Sequence, residues 1–211
     1  MSLSYWHTWY QQYDEPSSSL NRRLAVVRQR TAENLAGGTR AQPFKILSLC
    51  AGDGRDIIPL VAGLEEGCYQ AALVEIDDLI ASSAVAHVNE LGLQGVTVTV
   101  GDAGVTSTFA ALLPVDMLLL CGIFGNISEE DIQRTVAGVP AMLRPGGTAI
   151  WTRGAFEVDI RPLVRAWFVE AGLEEIAFDG EPEGYGVGVA RKPLDFGEPA
   201  ALPERLFSFV R

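Results

Sequence analysis

The chain has 211 residues, of which 48% are hydrophobic and 20% charged, the balance of one globular domain that can bury a core without disulfide or metal support. That composition excludes a disordered or fibrous chain. The 16 Lys and Arg residues against 27 Asp and Glu residues give a net charge of −11. So acidic a surface repels phosphate, which argues against a nucleic-acid partner.

Membrane, secretion and metal signals are not found in the sequence. The longest apolar run, 117–124, has the length of a strand and not of a membrane span. The first 14 residues lack the basic and then apolar pattern of a signal peptide. The cysteines at positions 50, 68 and 121 are spaced neither as a disulfide framework nor as a metal site. We therefore expect a cytoplasmic protein without a bound metal.

The first 42 residues are predicted to form an arm on the domain that follows, 43–211. Residues 1–14 are rich in aromatic side chains. After an N-cap at Ser18 or Ser19, apolar positions recur at helical spacing until two glycines end the helix. An aromatic arm of this kind is a candidate lid over a binding site.

Beyond Pro43 the pattern alternates between strand and helix. Apolar runs predict strands at Ile46–Cys50, Ala71–Ile76, Val96–Val100, Val115–Cys121, Thr148–Thr152 and Glu174–Phe178. Helices are predicted between them at about 57–64, 78–91, 128–143 and 160–171. Strands and helices that alternate in this way are joined by right-handed crossovers into a largely parallel sheet, so the fold class is α/β.

The C-terminal part departs from this alternation. Tyr185–Ala190 and Leu206–Val210 are both predicted as strands, and no helix is predicted between them. Consecutive strands without a crossover helix predict an antiparallel hairpin at one edge of the sheet.

Ligands of a parallel sheet bind beyond the carboxyl ends of its strands, which directs attention to four loops. The first, 49–56, contains Gly52 and Gly54, which let the backbone approach a ligand before a helix whose free N–H groups suit an anion. The same glycines also suit a plain turn between a strand and a helix. On its own this loop does not decide between the two.

The other three loops carry acids and small residues. The second is Glu75-Ile76-Asp77, where a carboxylate can accept hydrogen bonds from both ribose hydroxyls or be a solvated loop acid. In the third, Asp102-Ala103, the carboxylate can bind the exocyclic amine of adenine or cap a helix. The fourth, 121–126, leaves space beside a ligand, although Cys121 is also typical of a small buried residue.

Together the loops resemble those of the class I S-adenosylmethionine-dependent methyltransferases. Loop 47–54 is similar to that family's first motif, Glu75 to its ribose-binding acid, Asp102-Ala103 to its adenine-contacting pair, and 143–147 to its turn before the fifth strand. The resemblance covers about 44–190 and is greatest to a bacterial branch with a Cys-Ala-Gly-Asp-Gly-Arg-Asp loop. It implies a Rossmann-like, seven-stranded, mostly parallel sheet with helices on both faces and one late strand reversed.

The resemblance also implies S-adenosylmethionine as cofactor and a set of residues that bind it. These are Cys50, Ala51, Gly52, Asp53, Gly54, Asp56, Glu75, Ile76, Asp77, Asp102, Ala103, Cys121 and Gly122. The chain departs from the family where Ser48 replaces the usual acid and Cys50 the usual first glycine. Because that acid often supports the amino group of the cofactor, we expect Asp53 or Asp56 to take its place.

The activity implied is methyl transfer to a small-molecule acceptor by direct displacement, in which the protein mainly aligns the reacting atoms. The candidates for a base or an orienting group are His7, in the aromatic arm, and Asn126. His87 is predicted to be a surface residue. Arg153, at the end of a strand, suits either an acidic substrate or a surface ion pair.

The sequence leaves alternatives to this function, and the oligomeric state, open. A nicotinamide-dependent dehydrogenase is disfavoured because its fingerprint needs a third glycine where Ile57 stands. Two alternatives remain: a non-catalytic protein that binds S-adenosylmethionine as a sensor or scaffold, and a relative that binds a modified cofactor or uses the cofactor for something other than methyl transfer. A reversible disulfide between Cys50 and Cys121 is a separate hypothesis. The sequence does not distinguish a monomer from a homodimer.

Overall fold

The structure, a computed structural model, describes residues 13, 15, 17–156, 158–182 and 184–210. Its first helix, α1, is Ser19–Asn34 and begins after Ser18, whose Oγ accepts a hydrogen bond from the backbone N–H of Asn21 at 3.2 Å. This confirms the predicted N-cap. Helix α1 packs against the sheet through the buried Val27, and Arg30 on its flank pairs with Asp179 at 2.7 Å.

Seven strands form one sheet in the described part of the chain. They are β1 Phe44–Leu49, β2 Tyr69–Glu75, β3 Val96–Val100, β4 Val115–Leu120, β5 Leu143–Gly154, β6 Glu174–Gly180 and β7 Tyr185–Arg191. The further helices are α2 Ile58–Val61, α3 Asp78–Glu90, α4 Glu129–Met142 and α5 Arg161–Glu170. The spatial order is β3-β2-β1-β4-β5-β7-β6, with β1 to β5 parallel and β7 antiparallel to both of its neighbours. The predicted α/β fold is confirmed.

The core lies on both faces of this sheet, because successive residues of a strand point to opposite sides. Ile46 of β1 and Met117 of β4 belong to one buried cluster, whereas Leu47 and Leu118 belong to the other. Strand β4 is buried along its whole length, as expected of a central strand with helices on both faces. The carboxyl ends of β1 and β4 therefore lie side by side in the middle of the sheet.

The predicted antiparallel C-terminal hairpin is confirmed, but the predicted partner strand of Tyr185–Ala190 within it is wrong. Strand β7 pairs with β6 instead, and residues 206–210 form an extended tail with isolated bridges at Val105–Arg205 and Ile127–Phe209. The apolar run that resembled a strand buries two consecutive side chains, Leu206 and Phe207, whereas a half-buried strand buries alternate ones. These two side chains anchor the tail to the domain.

Two further expectations concern the rest of the chain. Within the residues described, no helix is long and apolar enough to cross a membrane. The division of the chain at residue 42 and the function of the arm as a lid stay predictions, since nearly all of 1–14 lies outside the described residues.

Candidate active site

The loop between β1 and α2 turns sharply through three left-handed residues. The φ angles are 53° at Cys50, 61° at Gly52 and 71° at Gly54. A side chain at Gly54 would bring its Cβ to 2.5 Å from Cδ1 of Ile58, so both backbone and space require glycine there. At Cys50, where the family usually has glycine, a cysteine adopts the same left-handed region. The backbone of the loop is thereby folded over the end of β1.

Glu75, at the end of β2, holds this loop in place. Its Oε2 accepts a hydrogen bond from Gly52 N at 2.8 Å, and its Oε1 accepts from Ile76 N at 2.9 Å and Asp77 N at 3.0 Å. A carboxylate offers about four lone-pair positions, so one position on Oε2 is left for a ligand. The predicted contact of Glu75 with both ribose hydroxyls stays a prediction, and the structure leaves room for one acceptor position without the release of Gly52.

The two neighbouring acids also have structural partners. Asp77 caps α3, since its Oδ1 accepts from the N–H groups of the second and third residues that follow it, at 2.9 and 3.1 Å. Asp102 accepts from Gly104 N at 2.8 Å through Oδ1, and its Oδ2 pairs with Arg205 of the tail at 2.9 Å. Ile76, between Glu75 and Asp77 in the chain, has 61% of its surface exposed. The tail residue Arg205 was not predicted, and no local pattern in the sequence points to it.

Asp53 and Asp56, the two acids after the glycines, differ in their partners. Asp53 forms a two-pronged ion pair with Arg55, whose Nε lies 2.8 Å from Oδ1, and the guanidinium of Arg55 covers the ring of Tyr13 at 4.0 Å. Asp56 is 8% exposed, and its Oδ1 has no hydrogen-bond partner. Of these two acids, only Asp56 therefore has a buried oxygen that accepts no hydrogen bond.

Burial raises the pKa of Asp56 to about 6, and the negative charge of Asp53 adds to the rise. The hydrogen bond to its own backbone and the positive charges of Arg23 and Arg28, both on α1, lower that pKa and so limit the rise. The sequence analysis missed both arginines, because helical spacing on α1 does not indicate which loop the helix covers.

The loop after β4 completes this edge of the sheet. Burial raises the pKa of the Cys121 thiol, and the charge of Asp56 adds to the rise. Gly122 donates its N–H to Oγ1 of Thr152 at 2.9 Å, and its carbonyl accepts from Nδ2 of Asn126 at 2.7 Å. Cys50 and Cys121 are free thiols, and burial raises the pKa of both, which makes them poor nucleophiles.

The candidate bases are placed very differently. His7 lies outside the described residues. His87 lies exposed in the last turn of α3, which confirms that it is a surface residue. Asn126 stands at the site, held by Gly122. The described residues contain no group of histidine, cysteine and acidic side chains that could hold a metal ion.

Solved structures share this fold at low sequence identity. An O-methyltransferase family protein from Burkholderia thailandensis superposes with a TM-score of 0.66 at 10% identity, over 87% of this chain and 59% of that protein. This chain thus spans about three fifths of that protein's length. The 1,6-didemethyltoxoflavin-N1-methyltransferase of the same organism, solved with that compound and S-adenosylhomocysteine, gives 0.63 at 14% identity, covering 90% of this chain and 85% of that one.

A third structure is an O-methyltransferase family 2 protein from Planctomyces limnophilus in complex with apigenin. It has a TM-score of 0.59 at 18% identity, over 82% of this chain and 60% of that one. No curated protein matches the sequence. Residues 21–168, most of the 211-residue chain, match the family model Methyltransf_20, "Putative methyltransferase". This protein therefore belongs to that methyltransferase family, and its predicted identity as a class I S-adenosylmethionine-dependent methyltransferase is confirmed in family and fold.

Proposed function

We propose that this protein transfers the methyl group of S-adenosylmethionine to a small-molecule acceptor by direct displacement. S-adenosylmethionine as the cofactor is supported by membership of a methyltransferase family and by a solved protein of the same fold that holds S-adenosylhomocysteine. A small acceptor is supported by two solved proteins of the same fold, which hold apigenin and 1,6-didemethyltoxoflavin. It is also supported by the net charge of −11, which disfavours nucleic acid.

The observation that carries this proposal is the buried carboxyl of Asp56. A buried carboxylate oxygen that accepts no hydrogen bond is unfavourable, and Oδ1 of Asp56 is such an atom. Asp56 lies in the loop after β1, whose neighbour in the sheet is β4, and the methionine end of the cofactor is expected beside these two strand ends. We infer that Asp56 binds the ammonium group of the cofactor and so replaces the acid that the family usually has at Ser48.

The rest of the cofactor fits along the neighbouring strand ends. Glu75 has one lone-pair position on Oε2 for a ribose hydroxyl, and the exposed Ile76 offers an apolar surface for one face of adenine. The Asp102-Ala103 loop lies next along the sheet, at the end of β3. Adenine, ribose and methionine would then follow the order of the strands, from β3 to β2 to the β1–β4 junction.

Direct displacement requires mainly that the protein aligns the reacting atoms. The sulfonium of the cofactor supplies a methyl group that is already activated. A lone pair of the acceptor forms the new bond to the methyl carbon as the carbon–sulfur bond breaks, and the electrons of that bond stay on sulfur. Asn126, fixed by its bond to Gly122, can accept a hydrogen bond from the attacking O–H or N–H group through Oδ1 and orient it. The proton leaves to water or to a base.

The first experiment is a thermal unfolding series with S-adenosylhomocysteine, with NAD and with no ligand. A ligand at about a hundred times its Kd adds roughly 2.7 kcal/mol, which for this chain length raises the Tm by about 5–10 °C. We expect this rise with S-adenosylhomocysteine alone. A rise with NAD alone contradicts the proposal. Binding without methyl transfer to any acceptor of a chemically diverse panel supports the sensor or scaffold alternative.

The contact of Asp56 is tested with two ligands that differ at one end. Asp56→Asn is expected to weaken S-adenosylhomocysteine binding by about 10- to 100-fold, since a charged hydrogen bond contributes roughly 1.5–3 kcal/mol. Methylthioadenosine lacks the amino-acid end and should bind the variant and the wild type equally. Equal loss for both ligands, measured by calorimetry, contradicts the role of Asp56 in binding the ammonium group. The expected cytoplasmic location stays a prediction beside this proposal.

A further inference from the structure

The loop after β5 presents an aromatic ring from a left-handed backbone position. Phe156 has a φ angle of 40°, in the left-handed region that bulky residues avoid. More than half of it, 52%, is nevertheless exposed. Backbone strain without burial is found mainly where a side chain has to be presented to something else.

Two glycines make room for this ring. A Cβ at Gly125 would lie 3.2 Å from Cζ and Cε2 of Phe156, and a Cβ at Gly154 would lie 3.1 Å from Cζ. The tip of the ring thus fits between the loop after β4 and the end of β5, at two positions where any larger residue would push it away. The ring is therefore held by the end of a strand as well as by loop residues.

A cation covers the same ring. The guanidinium of Arg153 lies 4.5 Å from the ring centroid of Phe156, and its Nη1 donates to the carbonyl of Phe124 at 2.9 Å. In a protein with a net charge of −11, Arg153 places a positive charge at this end of the site. An aromatic surface and a guanidinium side by side suit a flat, negatively charged molecule.

The order of the strands places this pair on the acceptor side. If adenine and ribose follow the ends of β3 and β2, and Asp56 holds the methionine end at the β1–β4 junction, then β5 is the next strand along. Phe156 and Arg153 stand at the end of β5. The acceptor has to approach the methyl group from the side that the cofactor does not occupy.

We propose that Phe156 and Arg153 form the acceptor subsite, and that the acceptor is a planar aromatic molecule with an anionic group such as a carboxylate. Its ring stacks on Phe156 and its anionic group faces Arg153. This inference rests on the proposed function, because it takes the direction of approach from the cofactor position given there. It adds the chemical class of the acceptor and two residues that select it.

The test uses three probes of one shape on protein saturated with S-adenosylhomocysteine. These are 2-naphthoate, its neutral amide 2-naphthamide, and the saturated acid decahydro-2-naphthoate, with Kd values from ligand-observed NMR. We expect 2-naphthoate to bind at least tenfold more tightly than either of the others. Binding of the saturated acid as tight as that of 2-naphthoate, or no binding of 2-naphthoate at millimolar concentration, overturns the proposal.

Variants separate the two residues. Phe156→Leu should weaken 2-naphthoate about tenfold and leave decahydro-2-naphthoate unchanged, whereas Arg153→Gln should remove the preference for 2-naphthoate over its amide. Phe196→Leu is the matched control, because Phe196 also lies beneath a cation, Lys192 at 5.0 Å, outside the proposed subsite. Phe156→Gly, which suits the left-handed backbone, shows the same loss if the Leu variant folds poorly.

The cofactor readout distinguishes the two proposals. S-adenosylhomocysteine should bind both the Phe156 and the Arg153 variants as tightly as the wild type. If the wild type fails to bind S-adenosylhomocysteine, the proposed function is wrong. If the wild type binds S-adenosylhomocysteine, and the Phe156 and Arg153 variants bind 2-naphthoate as tightly as the wild type does, only the proposal of the acceptor subsite is wrong.

Discussion

The proposed cofactor side and the proposed acceptor side of the site are held by contacts that differ in their separation along the sequence. On the cofactor side, after β1 and β2, Glu75 bonds the backbone of Gly52 and of its own loop. On the acceptor side, the loop after β4 is held by the C-terminal tail, since Val210 N donates to Asn126 O at 2.8 Å and Phe209 pairs with Ile127. Contacts near in sequence produce recognisable motifs, whereas contacts distant in sequence do not.

The largest expected effect tests the tail. Phe207 is 1% exposed, and Phe207→Ala should lower the free energy of unfolding by about 3–5 kcal/mol in urea titrations, because it leaves a cavity in the core. The control is Leu194→Ala, at a residue that is 82% exposed, with an expected change within about 0.5 kcal/mol. A loss below about 1 kcal/mol for Phe207→Ala would break the comparison, since the acceptor side would then not need the tail.

The next effect tests the cofactor side through pH. The folded state raises the pKa of Asp56 from 3.8 to about 6, so folding favours the protonated form and the stability contributed falls as pH rises through 6. Two pKa units correspond to roughly 3 kcal/mol. Asp56→Asn removes this titration, so its stability relative to wild type should rise by about that amount between pH 4 and 7.

Urea titrations at several pH values measure this difference, in which the other carboxylates cancel. Asp195→Asn, at an exposed position, should follow the wild-type curve. Parallel curves for Asp56→Asn and wild type contradict a buried carboxyl that is destabilising when charged. Higher stability of Asp56→Asn at pH 7 together with its weaker ligand binding would mark a residue kept for binding.

The smallest effect sharpens the comparison within the cofactor side. Gly54 and Gly92 have nearly equal φ angles, 71° and 67°, but a Cβ meets Ile58 at 2.5 Å at the first and nothing within 4 Å at the second. Gly92→Ala should cost about 1 kcal/mol of stability from the left-handed backbone. Gly54→Ala should cost about 2 kcal/mol more from crowding. Equal losses in thermal unfolding would mean that Ile58 yields and the loop is not packed as described.

How much the sequence predicted follows the same division. Strand β3 was predicted with its observed bounds, and helix α3 to within one residue, because apolar periodicity is a local signal. The tail was misread because Leu206 packs on Gly138 of α4, and the backbone of Leu206 and Phe207 lies against Gly104 in the loop after β3 rather than against a partner strand. Phe156 was missed because no residue type signals a left-handed phenylalanine.

The pairing of β1 with β4 has a consequence for how the chain is made. Ile46 lies beside Met117. During synthesis one edge of β1 therefore stays unpaired until β2, α3 and β3 have been made and β4 follows them. Contacts so far apart in the chain form late and slow the folding rate, and an open strand edge invites aggregation meanwhile. The cofactor is proposed to bind beside this same junction. A ligand that spans it therefore binds only chains that have completed their slowest step, and protects them from reopening.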